Sequence, residues 1–256
     1  MAKSTLNEEV RGFWEKEPCG TGDQIAGGLP LRTREWFERI EEYRYQVEPF
    51  IHSMAQFTRH RGEKILEIGV GAGTDHLQWA RAGAECHGVD LTDAAIETTR
   101  ERLKLYGFES DLQRVDAETL PFPDEAFDVV YSWGVIHHSE RPDLIIAEIR
   151  RVLRPGGVFV GMLYGRRSAA AFRLWLRYGL LRGRPWRSFA DVVWHHMESV
   201  GTKAYTVREL EALFGAFDDV EVTPLITPYD MRRFPAFISK FFPNHWGWFL
   251  AIRAVK

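Results

Sequence analysis

Hydrophobic and polar positions alternate along the chain in two regular patterns, one typical of helices and one of buried strands. After Thr33, a residue suited to cap a helix, apolar residues recur every three or four positions. These positions are Trp36, Ile40, Tyr43, Val47, Phe50 and Met54. The spacing predicts one amphipathic helix, kinked at Pro49 because proline cannot donate a backbone hydrogen bond.

From residue 64 onwards, short apolar runs alternate with helical patterns. Five strands are predicted, at Lys64–Ile68, Glu85–Val89, Leu112–Val115, Phe127–Tyr131 and Gly157–Leu163. Helices are predicted from about Thr74, from Thr92 to Tyr106 and from Pro142 to Leu153. Strands that alternate with helices pair in parallel through right-handed crossovers.

The last part of the chain completes the same pattern. Thr206 and Glu209 form a capping box at the start of a further helix, and strands are predicted at Val220–Val222 and Gly247–Val255. The predicted fold is α/β, with a doubly wound, seven-stranded and mostly parallel sheet. Residues 61–163 would form the core, 1–60 a helical extension, 164–204 a helical insertion, and 205–256 the rest of the sheet.

Composition narrows the class of protein. The chain has 256 residues, a net charge of −3 and two cysteines, too few for a disulfide framework, so a reducing, cytoplasmic location is expected. The longest run without a charged residue, Phe241 to Ile252, is far shorter than the ~20 residues of a membrane-spanning helix. The polar stretch that follows Met1 to Ser4 predicts no secretory signal.

Positive charge is concentrated in the insertion. Seven arginines and no acid lie between Arg166 and Arg187, and on one helix Arg166, Arg173 and Arg177 would share a face. Three interpretations stay open: a solvated surface, a cover over an apolar substrate, and peripheral contact with a lipid surface. No binding to nucleic acid is expected, because no aromatic–basic platform accompanies this charge.

A glycine-rich turn follows the first predicted strand, with glycines at 69, 71 and 73. In an open parallel sheet, ligands bind beyond the carboxyl ends of the strands, and glycines let the backbone approach them. A nicotinamide enzyme would prefer a small residue at position 74, where this chain has Thr74. Asp90 and Asp116 end the next two strands, so an adenosine cofactor without a pyrophosphate is predicted.

Six motifs in order resemble those of class I S-adenosylmethionine (SAM) methyltransferases, and most closely the type 11 or ubiquinone/menaquinone-biosynthesis-like domain. They are Leu66–Gly73, Gly88–Asp90, Val115–Ala117, Leu120–Val130, Val135–His138 and Arg151–Gly157. The resemblance implies the strand order 3-2-1-4-5-7-6, with the seventh strand antiparallel. It also implies SAM as the cofactor and S-adenosyl-L-homocysteine as the product.

The resemblance further implies a role for each motif residue. Glu67 would face the methionine end of SAM together with Gly69, Gly71 and Gly73, and Asp90 would hold the ribose. Leu91 would lie against the adenine. The remaining residues are Asp116 and Ala117 at the adenine edge, and Ser132 and Trp133 beside the sulfonium and the acceptor.

His137 and His138 follow the fourth predicted strand and are the candidate catalytic bases, because a neutral imidazole can remove a proton from a hydroxyl group. No carboxylate or thiolate lies at ligand spacing from this pair, so no metal is expected. The predicted reaction is methylation of a hydroxyl on an apolar or aromatic small molecule. The alternatives are methylation of carbon in a quinone or lipid-like ring, and a non-catalytic SAM-binding protein. The acceptor and the oligomeric state stay undetermined.

Overall fold

One seven-stranded sheet organises the chain. The computed structural model describes residues 5–231, 243 and 245–256. The strands are β1 (Lys64–Ile68), β2 (Glu85–Asp90), β3 (Asp111–Arg114), β4 (Phe127–Trp133), β5 (Leu153–Tyr164), β6 (Asp219–Leu225) and β7 (Phe249–Val255). Their order in the sheet is β3-β2-β1-β4-β5-β7-β6.

The pairing of the strands confirms the predicted fold class. β1 lies in parallel between β2 and β4, and β5 continues the parallel set beside β4. β7 runs antiparallel to both of its neighbours, β5 and β6. The carboxyl ends of β1, β2, β3 and β4 therefore meet at one edge of the sheet.

Helices lie before, between and after these strands. Before β1 are α1 (Leu6–Trp14), α2 (Asp23–Ala26), α3 (Arg34–Val47) and α4 (Ile51–Ala55). Between the parallel strands are α5 (Thr74–Ala82), α6 (Asp93–Tyr106) and α7 (Pro142–Val152). After β5 follow α8 (Ala169–Tyr178), α9 (Phe189–His196), α10 (Val207–Leu213) and α11 (Pro228–Met231).

The core has two apolar layers, one on each face of the sheet. Successive residues of a strand point to opposite faces, and β4 shows this clearly. Tyr131 packs with Trp79 of α5 on one face, with ring centroids 5.5 Å apart. Val130 packs with Ile149 of α7 on the other. Burial on both faces fixes the register of β4 and hence the position of the residues that follow it.

Two expectations about helices are wrong. The stripe from Trp36 to Met54 forms two helices rather than one kinked helix, because α3 ends at Val47 and α4 begins only after Pro49. Arg166 does not share a helix face with Arg173 and Arg177. Ser168 caps α8, so Arg166 lies before that helix, where it forms an ion pair with Glu209 of α10.

None of the helices among the described residues is long and apolar enough to cross a bilayer.

Candidate active site

A cavity lies beyond the carboxyl ends of β1 to β4. Residues of α1 and α3 and of the segment after α9 also line it. Of the predicted site residues, nine line this cavity: Glu67, Gly69, Gly71, Asp90, Leu91, Asp116, Ala117, Trp133 and His138. Gly73, Ser132 and His137 do not line it.

The glycine turn between β1 and α5 has the backbone that only glycine adopts readily. Gly69 has a φ of 83°, and a Cβ at this position would lie 2.2 Å from Val135. Gly71 has a φ of 54°, and its N–H donates to Asp90 at 3.1 Å, whereas a Cβ here would meet no atom within 4 Å. The turn is therefore tight on the protein side and open on the cavity side. Gly73 caps α5 instead, with Thr99 against it.

Glu67 is buried and held by His76. Its Oε2 lies 3.0 Å from His76 Nδ1, and His76 Nε2 lies 2.8 Å from the hydroxyl of Ser110. Since Ser110 donates its hydrogen to the carbonyl of Cys86, His76 donates through Nε2 and accepts at Nδ1. The proton between Glu67 and His76 then resides on the Glu67 carboxyl group. Burial of Glu67 agrees with this, because it raises the pKa of this carboxyl group well above the ordinary value.

Burial also lowers the pKa of His76, to about 4, so the imidazole is neutral near pH 7. A cation in the cavity would favour the ionised form of Glu67, because an opposite charge stabilises a carboxylate. Glu67 is thus fixed in position and able to respond to a positively charged ligand.

Asp90 and Asp116 close the turns after β2 and β3. Asp90 accepts hydrogen bonds from the backbone and the hydroxyl of Thr92 at 3.0 and 2.8 Å, in addition to that from Gly71. Asp116 accepts from Glu118 N at 3.0 Å and from the side chain of Asn7 at 2.9 Å. Both carboxylates therefore face the cavity with their orientation fixed by the chain itself.

Ser132 and Trp133, the two predicted site residues at the end of β4, have different surroundings. Ser132 is fully buried, and its hydroxyl donates to the carbonyl of Ile68 at 3.0 Å, so it joins β4 to β1. Trp133 lines the cavity, and its indole N–H donates to Glu48 at 2.8 Å. Only Trp133 is thus placed to touch a ligand.

A buried ion-pair cluster lies between α3 and α5, and the sequence analysis missed it. Arg44 donates to Asp75 at 2.6 Å and to Glu48 at 3.3 Å, and Tyr131 also donates to Asp75 at 2.9 Å. Burial alone would raise the pKa of Asp75, but Arg44 and the hydrogen bonds hold it below its ordinary value. Arg44 falls in the predicted helix, but nothing in the local sequence indicates its partner 31 positions away.

The two adjacent histidines have different surroundings. His137 is fully buried, its ring lies 3.9 Å from that of Tyr164, and neither of its ring nitrogens has a hydrogen-bond partner among the described residues. Burial, reinforced by His138 and Lys203, holds the pKa of His137 well below its ordinary value. His137 is therefore a neutral core residue, and the cavity is reached by His138.

His138 is oriented by hydroxyl groups from the end of the insertion. Its Nδ1 lies 3.0 Å from the hydroxyl oxygens of Ser199 and Thr202. Thr202 donates its own hydrogen to the Ser199 carbonyl at 2.7 Å, so its oxygen can accept from Nδ1–H. Its Nε2 lies 3.4 Å from a carboxylate oxygen of Glu198.

Glu198 is the second residue that the sequence analysis missed. It adopts a φ of 49°, which is uncommon outside glycine and occurs often at functional sites. Tyr164 donates to its carboxylate at 3.0 Å. The segment after α9 thus turns sharply and brings a carboxylate to an imidazole 60 residues earlier in the chain.

The fold also places a carboxylate beside the two histidines, where the sequence predicts no metal site. His137, His138 and Glu198 each offer one ligand atom, and these atoms lie within 4.8 Å of one another. The sequence predicts no metal here because no carboxylate or thiolate lies at ligand spacing from the pair, but the fold brings Glu198 close to it.

The cavity as a whole is acidic. Six acidic side chains line it, those of Glu48, Glu67, Asp75, Asp90, Asp116 and Glu198. Among the described lining residues, the only basic groups are Arg44, which is paired with two of these carboxylates, and the imidazole of His138. An electrostatic environment of this sign favours a positively charged ligand.

Comparison with known proteins shows which family the core of the sheet matches. Residues 66–161 match the family model described as "Methyltransferase domain". Residues 66–161 of this chain form a methyltransferase domain. The domain spans β1 to β5, and its turns hold the cofactor-side residues of the cavity.

The relatives of this methyltransferase domain include enzymes with lipid-like substrates in their names. The chain is 36% identical over 135 residues to a fatty-acid O-methyltransferase of Mycolicibacterium smegmatis, which covers 52% of this chain and 46% of that protein. It is 34% identical over 124 residues to a demethylmenaquinone methyltransferase of Tropheryma whipplei, covering 47% and 51%. The chain thus spans about half the length of these curated relatives.

Solved structures extend the likeness beyond the methyltransferase domain. The crystal structure of the [4+2]-cyclase SpnF aligns over 99% of this chain and 97% of that one, with a TM-score of 0.63 and 19% identity. A SAM-dependent methyltransferase of Thermotoga maritima, named as a possible histamine N-methyltransferase, aligns over 86% and 96%, with a TM-score of 0.54 and 20% identity. At these identities the likeness concerns the fold.

The cavity fits the cofactor that a class I methyltransferase domain implies. The open side of the turn at Gly71 admits close contact with a ligand. Asp90 stands at the end of β2 where it can accept hydrogen bonds from ribose hydroxyls, and the buried Glu67 can balance a positive charge. The hydrogen-bond acceptors and the charges of the cavity therefore fit SAM.

Proposed function

We propose that this protein transfers the methyl group of SAM to a hydroxyl group of a small, largely apolar molecule. The observation that supports this most directly is the pairing of His138 with Glu198 at the wall of an otherwise acidic, aromatic-lined cavity. The paired imidazole can take a proton from a neutral acceptor, and the carboxylate can stabilise the imidazolium that results.

The charges of the cavity favour a neutral acceptor over an anionic one. Glu48 and Glu198 stand on the acceptor side, while Arg44 is already paired with Glu48 and Asp75. A carboxylate substrate would meet like charges there without a free cation to bind it. We therefore expect an alcohol or a phenol, and not the fatty-acid carboxylate suggested by the name of one relative.

The chain's own residues would perform three tasks. SAM, when bound, supplies a methyl group on a positively charged sulfur. Asp90 and the glycine turn would hold its ribose, with Asp116 and Ala117 at the adenine and Glu67 near the methionine part. His138 Nε2 would accept the hydroxyl proton, while Thr202 and Ser199 keep the ring in position through Nδ1.

The N-terminal extension would close the cavity over the cofactor. Asn7 of α1 donates to Asp116 at 2.9 Å and to Glu118 at 2.7 Å, and Trp14 lines the cavity with its ring 5.5 Å from that of His138. Glu15 accepts from the backbone N–H of Ala94, at the start of α6. These contacts support a role of residues 1–60 as a cover that excludes water from the reaction.

A second candidate is methylation of ring carbon, which is favoured by the similarity to a demethylmenaquinone methyltransferase. A phenolate ring could attack through carbon after the same proton transfer to His138. The two candidates share this proton transfer to His138, but methylation of carbon also requires the methylated carbon to lose its hydrogen as a proton, which restores the aromatic ring. A cytoplasmic location is likewise proposed, on the basis of the two free cysteines.

Transfer of an isotopically labelled methyl group tests the proposal. The protein is incubated with SAM carrying a deuterated methyl group and with matched sets of apolar alcohols, phenols, fatty acids and demethylated quinones. Mass spectrometry is expected to find the label on a hydroxyl oxygen. Label on quinone carbon would support the second candidate. Label on the fatty-acid carboxylate, or calorimetry showing NADH bound in place of SAM, would overturn the proposal.

A further inference from the structure

The connection between α8 and α9 forms an exposed apolar and basic segment. All seven residues from Leu180 to Trp186 are exposed, and we call residues 180–186 the insertion tip. The side chain of Trp186 is 77% exposed and that of Leu181 is 73% exposed. Large apolar side chains that stand together in solvent mark a surface that contacts another apolar phase.

Five of the seven arginines of the insertion fall into two groups. Arg166 pairs with Glu209, Arg187 pairs with Asp191, and Arg173 donates to the carbonyl of Asp230 at 2.7 Å. In contrast, Arg182 and Arg184 of the insertion tip form no ion pair with any of the described residues. The insertion thus uses part of its charge internally and presents the rest beside the exposed Leu and Trp side chains.

This combination matches the surface of an anionic bilayer. Trp and Leu side chains enter the boundary between headgroups and acyl chains, while arginines bind anionic headgroups. A surface exposed only to water would gain nothing from Trp186 and Leu181, since exposed apolar area is unfavourable. The insertion tip therefore combines large apolar and basic side chains within seven consecutive residues, Leu180 to Trp186.

We propose that the insertion tip docks on an anionic lipid bilayer. α9 follows the tip directly, and Met197 and Glu198, immediately after α9, line the cavity. Docking would therefore hold the acceptor side of the cavity close to a lipid phase from which an apolar molecule can enter. Membrane binding itself does not depend on the proposed function. Only the delivery of the acceptor from the lipid phase rests on that function.

Vesicle co-sedimentation tests the proposal with the full chain. Vesicles of equal parts phosphatidylglycerol and phosphatidylcholine are compared with vesicles of phosphatidylcholine alone, at low and high salt. The paired variant L181S/W186S is expected to bind the anionic vesicles at least tenfold more weakly than the wild type. The variant R182Q/R184Q should lose about fivefold in affinity per arginine and most of the salt dependence.

Leu31→Ser is the matched control, because Leu31 is 76% exposed but lies outside the insertion. It should bind vesicles as the wild type does, and all variants should keep the wild-type melting temperature and affinity for S-adenosyl-L-homocysteine. Absence of salt-sensitive binding by the wild type, or equal loss in L31S, would overturn the proposal. Dimerisation in sedimentation velocity that is abolished by L181S/W186S would also overturn it, in favour of a contact between two copies.

Failure of vesicle binding would leave methyl transfer to a soluble acceptor intact, whereas failure of methyl transfer would leave vesicle binding intact. The two results therefore separate this proposal from the proposed function.

Discussion

The two ends of the cavity are built in different ways. At the proposed cofactor end, Glu67, Asp90 and Asp116 each lie at or just after the carboxyl end of a neighbouring strand, so the sheet alone brings them together. At the proposed acceptor end, Trp14, Glu48, His138 and Glu198 come from four separate segments of the chain. The cofactor end is thus a property of the sheet, while the acceptor end is assembled from additions to it.

This difference separates the expected effects of substitution. Changes at the cofactor end should weaken SAM and S-adenosyl-L-homocysteine alike, whatever the acceptor. Changes at the acceptor end should slow the transfer and leave cofactor affinity unchanged. A residue that altered both would show that the two ends are not independent.

The largest effect is expected for His138→Gln. Removal of a positioned base should lower single-turnover methyl transfer at saturating SAM by about 10²–10⁴-fold. Affinity for S-adenosyl-L-homocysteine, measured by calorimetry, should stay within about twofold of the wild type. His137→Phe is the matched comparison and should retain most of the rate, because the His137 ring does not reach the cavity.

The same assay decides between a base and a metal at His138. Treatment with a chelator should leave the rate unchanged if Nε2 acts as the base. Loss of activity that is restored by a divalent ion, together with equal losses in the variants of His137, His138 and Glu198, would show a metal site and refute the assignment of His138 as a base.

Asp90→Asn is expected to have the next largest effect, on binding rather than on the rate. A charge-assisted hydrogen bond to a ribose hydroxyl contributes about 1.5–3 kcal/mol, so affinity for S-adenosyl-L-homocysteine should fall by about 10–10²-fold. Asp111→Asn changes a carboxylate at the opposite end of the strands and should leave affinity unaltered. Equal affinity of the Asp90 variant and the wild type in calorimetry would remove Asp90 from the cofactor site.

Glu198→Gln should produce a smaller change at the acceptor end. The amide keeps the shape of the side chain but no longer stabilises a charged imidazolium, so transfer should slow by about tenfold. Cofactor affinity should not change, and Glu211→Gln, an exposed glutamate of α10, is the control. A wild-type rate in the Glu198 variant would show that His138 works without this partner.

The sequence predicted which residues lie at the strand ends better than it predicted the rest of the cavity wall, for a physical reason. β1, the glycine turn and Asp90 follow from local patterns, because strand ends in a parallel sheet meet at one edge whatever surrounds them. Glu198 could not be predicted in this way. Its contact with His138 depends on the path of the insertion and on an unusual backbone angle, and neither leaves a periodic signal.

Residues inside the correct motifs also differ in ways that local sequence does not show. His137 and His138 are adjacent, yet one is enclosed by Tyr164 and the other faces the cavity. Ser132 lies at a strand end as predicted, but the alternation of β4 directs its hydroxyl to Ile68. The direction in which each side chain of a motif points is set by packing across the sheet. This packing is seen only in the folded structure.

The smallest effect is a pH dependence of stability that distinguishes the two histidines. His137 stays neutral in the folded state because burial depresses its pKa, whereas in the unfolded chain it titrates near ~6.5. Above this pH the two states bind the same number of protons. Below it only the unfolded state gains one, so the free energy of unfolding should fall by about 2 kcal/mol between pH 7 and pH 5 on this account alone.

His137→Phe removes this dependence while keeping a ring against Tyr164. Denaturant titrations of wild type and variant at pH 5, 6 and 7 should therefore diverge on acidification, with the variant losing less stability. His76, which is also buried, titrates equally in both proteins and cancels in the comparison. Parallel curves would mean that His137 takes up a proton in the folded protein, and the strict division between an enclosed and a reactive histidine would fail.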